Sequence, residues 1–409
     1  MLHAPKGDAD APDIPTPCSY AEAITGPYSS QLQAAMDAEM ASWKSTGTYV
    51  DEVPPPGANI VDGMWIFRVK RPPGSPPAFK ARYVARGFSQ RQGVDYFQTF
   101  SPTTKMTTLW VLLHVAAQRD YELHSLDFTT AFLQGSLCRP PGFTESFPTG
   151  TQWSLRRPVY GLRQAPCEWH DTLRTTLAAL GFAPTTADPS MFLRTDTSLL
   201  PFYVLVYVDD LVFATAGTEA LTLEKSERQD RHTCTNVDEL RGYLGLQITR
   251  DRARRTITLT QSHMVHQSVE PSGLYPELVG CLMYLMTCTR PDLVYPLNLP
   301  ARYVAPATQR SSQGYTFSLG SGSISWRSTC SSSVLSSSCE AEIYAGAMAA
   351  QELRWLTYLL TDLGEQPRLP PQRGQLRLAY VATRANTADI FTKALPPGDH
   401  QRFATVLGL

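Results

Sequence analysis

Between Tyr203 and Ala214 the chain reads Tyr-Val-Leu-Val-Tyr-Val-Asp-Asp-Leu-Val-Phe-Ala, two adjacent carboxylates set between runs of β-branched and aromatic residues. Each run predicts a buried strand, which places Asp209 and Asp210 at the tip of a tight hairpin. Successive strand residues point to opposite faces, so a turn is the natural way to present both acids to one site. Like charges at close range raise one of the two pKa values strongly unless a cation lies between them. Magnesium held by carboxylates and substrate phosphates is the usual resolution. A surface Asp-Asp turn would read the same in this segment alone, so the choice rests on the rest of the chain.

A third acid, Asp127, stands in Ser125-Leu126-Asp127-Phe128-Thr129-Thr130-Ala131-Phe132-Leu133-Gln134-Gly135. It closes a short apolar stretch before a helix-like segment, which suits a carboxylate at a strand end. Downstream follow Tyr160-Gly161-Leu162-Arg163-Gln164-Ala165-Pro166 and Tyr243-Leu244-Gly245-Leu246-Gln247-Ile248. In this order the set closely resembles the reverse transcriptase of copia-type LTR retrotransposons, and the resemblance runs from about Tyr20 to Leu395.

Composition sets the frame for that resemblance. The chain has 409 residues, 43% of them hydrophobic and 18% charged, with a formal net charge of −1. That length admits two or three domains with real cores. There is no global basic signature, but from Ile66 to Arg91 seven basic residues (Arg68, Lys70, Arg71, Lys80, Arg82, Arg86, Arg91) stand without an acidic one. Such a stretch suits phosphates, or is simply a solvated basic strand face. Eight cysteines are scattered without a Cys-x-x-Cys pair, so reduced thiols in an intracellular protein are expected. No signal peptide and no run of about 18 apolar residues is seen, so no membrane partner is expected.

The expected organisation is a disordered Pro/Asp/Ala-rich segment over 1–17, a helical lead-in over 18–60 and a catalytic unit over 61–249. A shortened thumb over 250–311 and a degenerate ribonuclease H-like region over 312–409 follow. Residues 18–50 read as one helix carrying Ala21, Ile24, Leu32, Met36, Met40 and Trp43, broken by the prolines at 54–56. Further helices are predicted from the turn at Gly161 to Leu180 and over Cys339 to Leu363. A basic strand pair is predicted over Arg250 to Gln261. The fold class is α+β: palm and fingers built on an antiparallel sheet with helices, then a truncated ribonuclease H-like α/β domain.

The resemblance implies roles residue by residue. Asp127 and Asp209 match the main metal ligands, Asp210 the less direct one, with Mg2+ as the ion and Mn2+ as the alternative. Lys80 and Arg82, in Lys80-Ala81-Arg82-Tyr83-Val84-Ala85-Arg86-Gly87-Phe88, match the fingers strand that holds the triphosphate of the incoming nucleotide. Phe132 matches the aromatic gate against a ribose 2′-hydroxyl, and Gly161 with Pro166 the nucleotide-binding loop. Tyr243-Leu244-Gly245 matches the primer grip. Ordinary packing or turn chemistry is the alternative for Phe132, Gly161 and the grip. The implied partners are an RNA or DNA template with primer, deoxynucleoside triphosphates and other retroelement proteins. The implied location is the cytoplasm, within a virus-like particle if the element is active, or the nucleus.

The chain also departs from the family pattern. Ser136-Leu137-Cys138-Arg139 leads straight into Pro140-Pro141-Gly142-Phe143, where the family carries a longer acidic stretch. The thumb-like region is compressed into Ser268 to Leu278. In the ribonuclease H-like region Glu342 and Asp389 match two acids, but the first falls where Ala307 to Gln313 stands and the third where Pro367 to Gln375 stands. Two carboxylates do not readily hold the two cations that hydrolysis of an RNA strand needs, so ribonuclease H activity is expected to be absent. With no capsid-like, protease or integrase segment, a polyprotein fragment or a decayed or co-opted copy is expected. The alternative to an active polymerase is an inactive remnant that at most binds nucleic acid. A further alternative is an interaction scaffold using the arginines from Arg250 to Arg255.

Overall fold

The computed structural model describes residues 14–70, 76–128, 135–137, 140–141, 152–156, 159–194, 200–208, 210–217, 234–262, 275–298, 311–331, 334, 337–365 and 381–409. In chain order the elements are α1 (Tyr20–Thr25), α2 (Ser29–Ser45), β1 (Tyr49–Glu52), β2 (Gly63–Lys70), β3 (Ala78–Ala85), α3 (Met106–Arg119) and β4 (Glu122–Phe128). They continue with β5 (Gly135–Leu137), β6 (Gln152–Leu155), α4 (Ala165–Ala179), β7 (Phe182–Pro184), β8 (Met191–Arg194), β9 (Phe202–Tyr207), β10 (Asp210–Thr215) and β11 (Cys234–Glu239). The rest are β12 (Gly242–Tyr243), β13 (Leu246–Asp251), β14 (Thr256–Thr260), α5 (Tyr275–Cys288), α6 (Val294–Asn298), β15 (Ser312–Leu319), β16 (Gly322–Cys330), α7 (Ser338–Asp362) and α8 (Pro397–Val406). Helices and antiparallel sheets together give the α+β class expected.

These elements fall into two compact units. The first takes Met1–Pro102, Phe128–Leu180 and Gln229–Thr235. Its core is the face of α2 that carries Leu32, Met36, Met40 and Trp43, packed on Trp65, Phe67, Ala81, Tyr83 and Ala85 of the β2–β3 hairpin. Spacings of three and four residues put the four α2 side chains on one stripe. Trp153 of β6, 1% exposed, stacks on Tyr49 at 3.9 Å between ring centroids and closes this core.

One helix over 18–50 is not what forms. Gly26-Pro27 ends α1, because proline lacks the amide that would continue the helix. A second helix starts at Ser29, and Tyr49–Glu52 is already a strand, paired with β6. The apolar spacing runs through the break, which is why it reads as continuous.

The second unit takes Thr103–Asp127, Gly181–Arg228 and Asn236–Leu409. Its centre is a six-stranded sheet in the order β11-β4-β10-β9-β8-β7. Five of six β9 positions are buried in succession, which means that the strand is covered on both faces. Helix α3 is buried nearly all round, at Thr108 to Leu113 and Val115 to Ala117. It contributes Leu109 and Leu112 to a core shared with Leu205 and Val212 of the sheet and with Leu356 and Leu359 of α7. The described residues of α7 therefore pack within the same unit as the sheet. No helix among the described residues is long and apolar enough to cross a membrane.

The arginines at 250–255 act inside this unit. Arg250 donates to the carbonyl of Tyr121 at 2.5 Å and to Asp120 at 2.7 Å, and Arg252 bridges Asp120 and Glu122. Arg255 donates to the carbonyl of Gln118. They fasten the β13–β14 hairpin to the end of α3, while Arg254 stays exposed beside Asp251.

His114 of α3 lies beside the β15–β16 turn, where a Cβ added to Gly320 would stand 3.3 Å from its Cε1. Burial holds its imidazole below the ordinary value near 6.5, and Glu365, itself paired with Arg119, opposes that shift. As pH falls through 6.5 the unfolded chain takes up this proton before the folded chain does, so stability drops with falling pH. The urea midpoint is expected to decline between pH 7.5 and 5.5 more in the wild type than in His114→Gln. Equal slopes would contradict this.

Candidate active site

The turn between β9 and β10 is built on a conformation its sequence does not favour. Tyr207 pairs with Asp210, and Val208 follows the last paired residue of β9. Val208 has φ +57°, the left-handed region where Gly, Asn or Asp normally sits. A β-branched residue there costs roughly 1–2 kcal/mol, and such strain gathers at functional sites. Asn-Gly would make an easier turn; Val-Asp keeps the acid instead.

Opposite the hairpin, β4 brings in the third acid. Asp127 is the direct cross-strand partner of Asp210. Facing residues of an antiparallel pair have Cα atoms about 4.5–5.5 Å apart. The sheet therefore sets two acid-bearing positions, 83 residues apart in sequence, at neighbouring points beside the strained turn. Hard carboxylate oxygens at such neighbours fit a divalent cation bound through oxygen. Asp209 and the side chain of Asp127 lie outside the described residues, as does Phe132. Among the described residues no group of three or more His, Cys, Asp or Glu gathers as a metal site.

Tyr243 is 5% exposed and its hydroxyl reaches the Asp210 carbonyl at 3.5 Å, so it packs beside the turn end of the same hairpin. Leu244 and Gly245 form the β12–β13 turn, both with positive φ, and the Leu244 carbonyl accepts from the hydroxyl of Tyr284. In this position Tyr243 supports Asp210 from within the core.

The first unit carries the basic strand. Lys80 and Arg82 alternate with buried Ala81, Tyr83 and Ala85, so both lie on the exposed face of β3. Lys80 stands opposite Arg68, and the Arg82 guanidinium lies 4.6 Å from the Tyr160 ring centroid. Behind this face, burial pushes the Glu39 carboxyl above its ordinary value, opposed by the Trp43 indole and by Arg82.

Gly161 holds its loop directly against that strand. It has φ +96°, and an added Cβ would meet the Ala85 carbonyl oxygen at 2.0 Å. The same loop is fixed by the Ala85 amide donating to the Tyr160 carbonyl at 2.8 Å and by Arg163 donating to the Gly87 carbonyl at 2.9 Å. Pro166 opens α4, where a missing amide costs nothing.

In the second unit Glu342 is exposed on α7. Asp389 is buried, paired with Lys393 at 2.7 Å and accepting from Asn386 at 2.8 Å. Sequence reading passes over Thr104, Asp188 and Ser190, which bond to one another and to β9 beneath the hairpin. The signal available for them is weak: an acid and two hydroxyls beside apolar strands.

A family model described as "Reverse transcriptase (RNA-dependent DNA polymerase)" matches residues 48–279. The Pol polyprotein of transposon RE2 from Arabidopsis thaliana is 31% identical over 87% of this chain and 32% of its own length. That of transposon RE1 from the same plant is 29% identical over 88% and 32%. That of transposon TNT 1-94 from Nicotiana tabacum is 26% identical over 85% and 33%. The chain spans about a third of the length of these relatives. Among solved structures, a foamy viral protease-reverse transcriptase with an RNA/DNA hybrid is matched at TM-score 0.46 and 12% identity, over 89% of this chain and 56% of that one. A likeness that remote carries no inference by itself.

Proposed function

Since the family match covers more than half of it, the chain belongs to the reverse transcriptase (RNA-dependent DNA polymerase) family, and we propose that it extends a primer 3′-hydroxyl with deoxynucleotides on an RNA or DNA template. The observation that carries this reading is the register of Asp127 against Asp210 beside the strained Val208 turn. The copia-type relatives are retrotransposon Pol polyproteins, and the family generally uses divalent metal ions.

In this proposal Asp127 and Asp209 hold Mg2+, or Mn2+ in its place, with Asp210 in a less direct role. The bound ions would lower the pKa of the primer hydroxyl and neutralise charge on the leaving pyrophosphate. The protein's own contribution is position. The β4–β10 register sets Asp127 opposite Asp210, and Tyr243 packs under Asp210 so that the hairpin does not drift. Lys80 and Arg82 bind the triphosphate through charge-assisted hydrogen bonds. Phe132 and Gly161 contact the incoming nucleotide, and the turn at Leu244-Gly245 contacts the primer.

The experiment is steady-state primer extension with the nucleotide concentration varied. Lys80→Ala and Arg82→Ala are each expected to raise the nucleotide KM about tenfold, as loss of a hydrogen bond to a charged group of about 1.5 kcal/mol requires. Unchanged KM in both variants would remove the triphosphate role from this strand.

A second reading concerns the C-terminal segment. Asp389 is already neutralised by Lys393, and Glu342 lies exposed on α7. We therefore extend the proposal to a polymerase without ribonuclease H activity. Incubation of the pure chain with a labelled RNA–DNA hybrid should leave the RNA intact. Cleavage that disappears in Glu342→Ala would refute it.

A further inference from the structure

Asp188 is a carboxylate inside the second unit that the proposed chemistry does not use. It is 4% exposed, and among the described residues it forms no ion pair. Taking a carboxylate out of water costs several kcal/mol unless donors replace the solvent. Here they do. Oδ1 accepts from the Ser190 amide at 3.0 Å and the Ser190 hydroxyl at 2.6 Å, and Oδ2 accepts from the Thr108 hydroxyl of α3 at 2.5 Å.

These bonds lead to the hairpin. The Ser190 carbonyl accepts from the Val206 amide at 2.9 Å. The Thr104 hydroxyl donates to the Val206 carbonyl at 2.5 Å, with its oxygen 3.0 Å from Ser190 Oγ. The Val206 amide, two residues before the strained Val208, is thus held by Ser190, which is itself fixed on Asp188, and the Val206 carbonyl is held separately by Thr104. The outer side of the same loop is clamped by α7. Trp355 donates to the Ala187 carbonyl at 2.8 Å, and the Ala187 amide donates to Asp362 at 3.0 Å.

We propose that Asp188 is a positioning residue that, through Ser190, sets the acid-bearing β9–β10 hairpin for catalysis. The inference rests on the polymerase reading for its kinetic consequence but not for its structural one. A buried polar set of this kind specifies one arrangement of the backbone it bonds, where apolar packing would tolerate sliding. Displacement of reacting groups by about 1 Å can lower a rate on the order of 100-fold.

The test uses the full chain and compares Asp188→Ala with Asp188→Asn and with Ile390→Ala. Ile390 is buried in a separate cluster with Val294 and Phe403, so it serves as a stability control. Asp188→Ala is expected to lower kcat about 100-fold and to raise the Mg2+ concentration for half-maximal incorporation, with little change in nucleotide KM. Asp188→Asn should restore most of the rate, because its amide can accept from Ser190 and donate to Thr108. Ile390→Ala should lower the melting temperature without moving the Mg2+ half-point. A kcat loss in Asp188→Ala no greater than that of Ile390→Ala, with an unmoved Mg2+ half-point, overturns the proposal.

Amide hydrogen exchange supplies a readout that needs no activity. Peptides within 202–208 and 210–215 should exchange faster in Asp188→Ala, while those of β15 and β16 stay as in the wild type. If the wild-type chain incorporates nothing, the polymerase reading fails, yet exchange still decides the positioning role, and unchanged exchange at the hairpin overturns it. If Asp188→Ala does not fold, Ser190→Ala removes the hydroxyl bond to Asp188 and is judged by the same two readouts.

Discussion

Asp209→Asn is expected to lower primer extension on the order of 1,000-fold, since metal-assisted charge stabilisation is worth several kcal/mol and each 1.4 kcal/mol is tenfold in rate. Asp210→Asn should lower it less, because its role is the less direct one and its strand position keeps the hairpin paired with β4. Asp209→Asn should not cost stability without metal. Removing one of two adjacent negative charges relieves repulsion, so the melting temperature of the metal-free chain should stay level or rise. Single-nucleotide incorporation with a radiolabelled primer, beside thermal unfolding of the same preparations, checks both halves. Incorporation by Asp209→Asn within a few-fold of the wild type would mean that the hairpin is only a turn.

The other large effect is expected from a glycine. Gly161→Ala must place a Cβ 2.0 Å from the Ala85 carbonyl oxygen and hold an L-residue at φ +96°. The backbone term is about 1–2 kcal/mol and the overpacking term about 1–3 kcal/mol, a combined loss of about 2–5 kcal/mol for the first unit. Gly87→Ala meets the same obstacle from the other side, with its Cβ 2.1 Å from the Gly161 carbonyl oxygen. Urea unfolding should show both variants destabilised. At a temperature where both remain folded, Gly161→Ala should also raise the nucleotide KM, as its proposed contact with the incoming nucleotide requires. A stability loss with KM unchanged would make Gly161 a packing glycine alone.

Where local pattern and tertiary role coincide, the sequence is legible. The hairpin shows itself because two apolar runs flank two acids, and the structure pairs those runs residue by residue. The strand that carries Lys80 and Arg82 is legible through the family resemblance, and it forms as Ala78–Ala85 with both residues alternating with buried Ala81, Tyr83 and Ala85. The long C-terminal helix, expected over Cys339 to Leu363 from Ala341, Tyr344, Met348, Leu353, Trp355 and Leu359, forms as Ser338–Asp362.

Illegible features depend on partners distant in sequence. Thr104 meets Val206 across 102 positions and Thr108 meets Asp188 across 80, and nothing local in a threonine announces such a bond. The arginines at 250–255 read as a free basic patch, yet Arg250 is directed to Asp120 and to two backbone carbonyls at the end of α3. Helix α8 escapes notice because it is short and polar, with a proline at its start and only Phe403 and Ala404 buried. The break at Gly26-Pro27 is hidden by apolar spacing that continues through it.

Three acids, one of them brought from β4 to the β9–β10 hairpin by strand register, are the core of this account. Its most direct test is primer extension by the wild-type chain on an RNA template with Mg2+ and all four deoxynucleotides, beside Asp209→Asn. Template-length product from the wild type and none from the variant is the predicted result. A folded wild-type chain that binds the primer–template in a salt-dependent manner but adds no nucleotide would contradict it, and would identify a scaffold that has lost its chemistry.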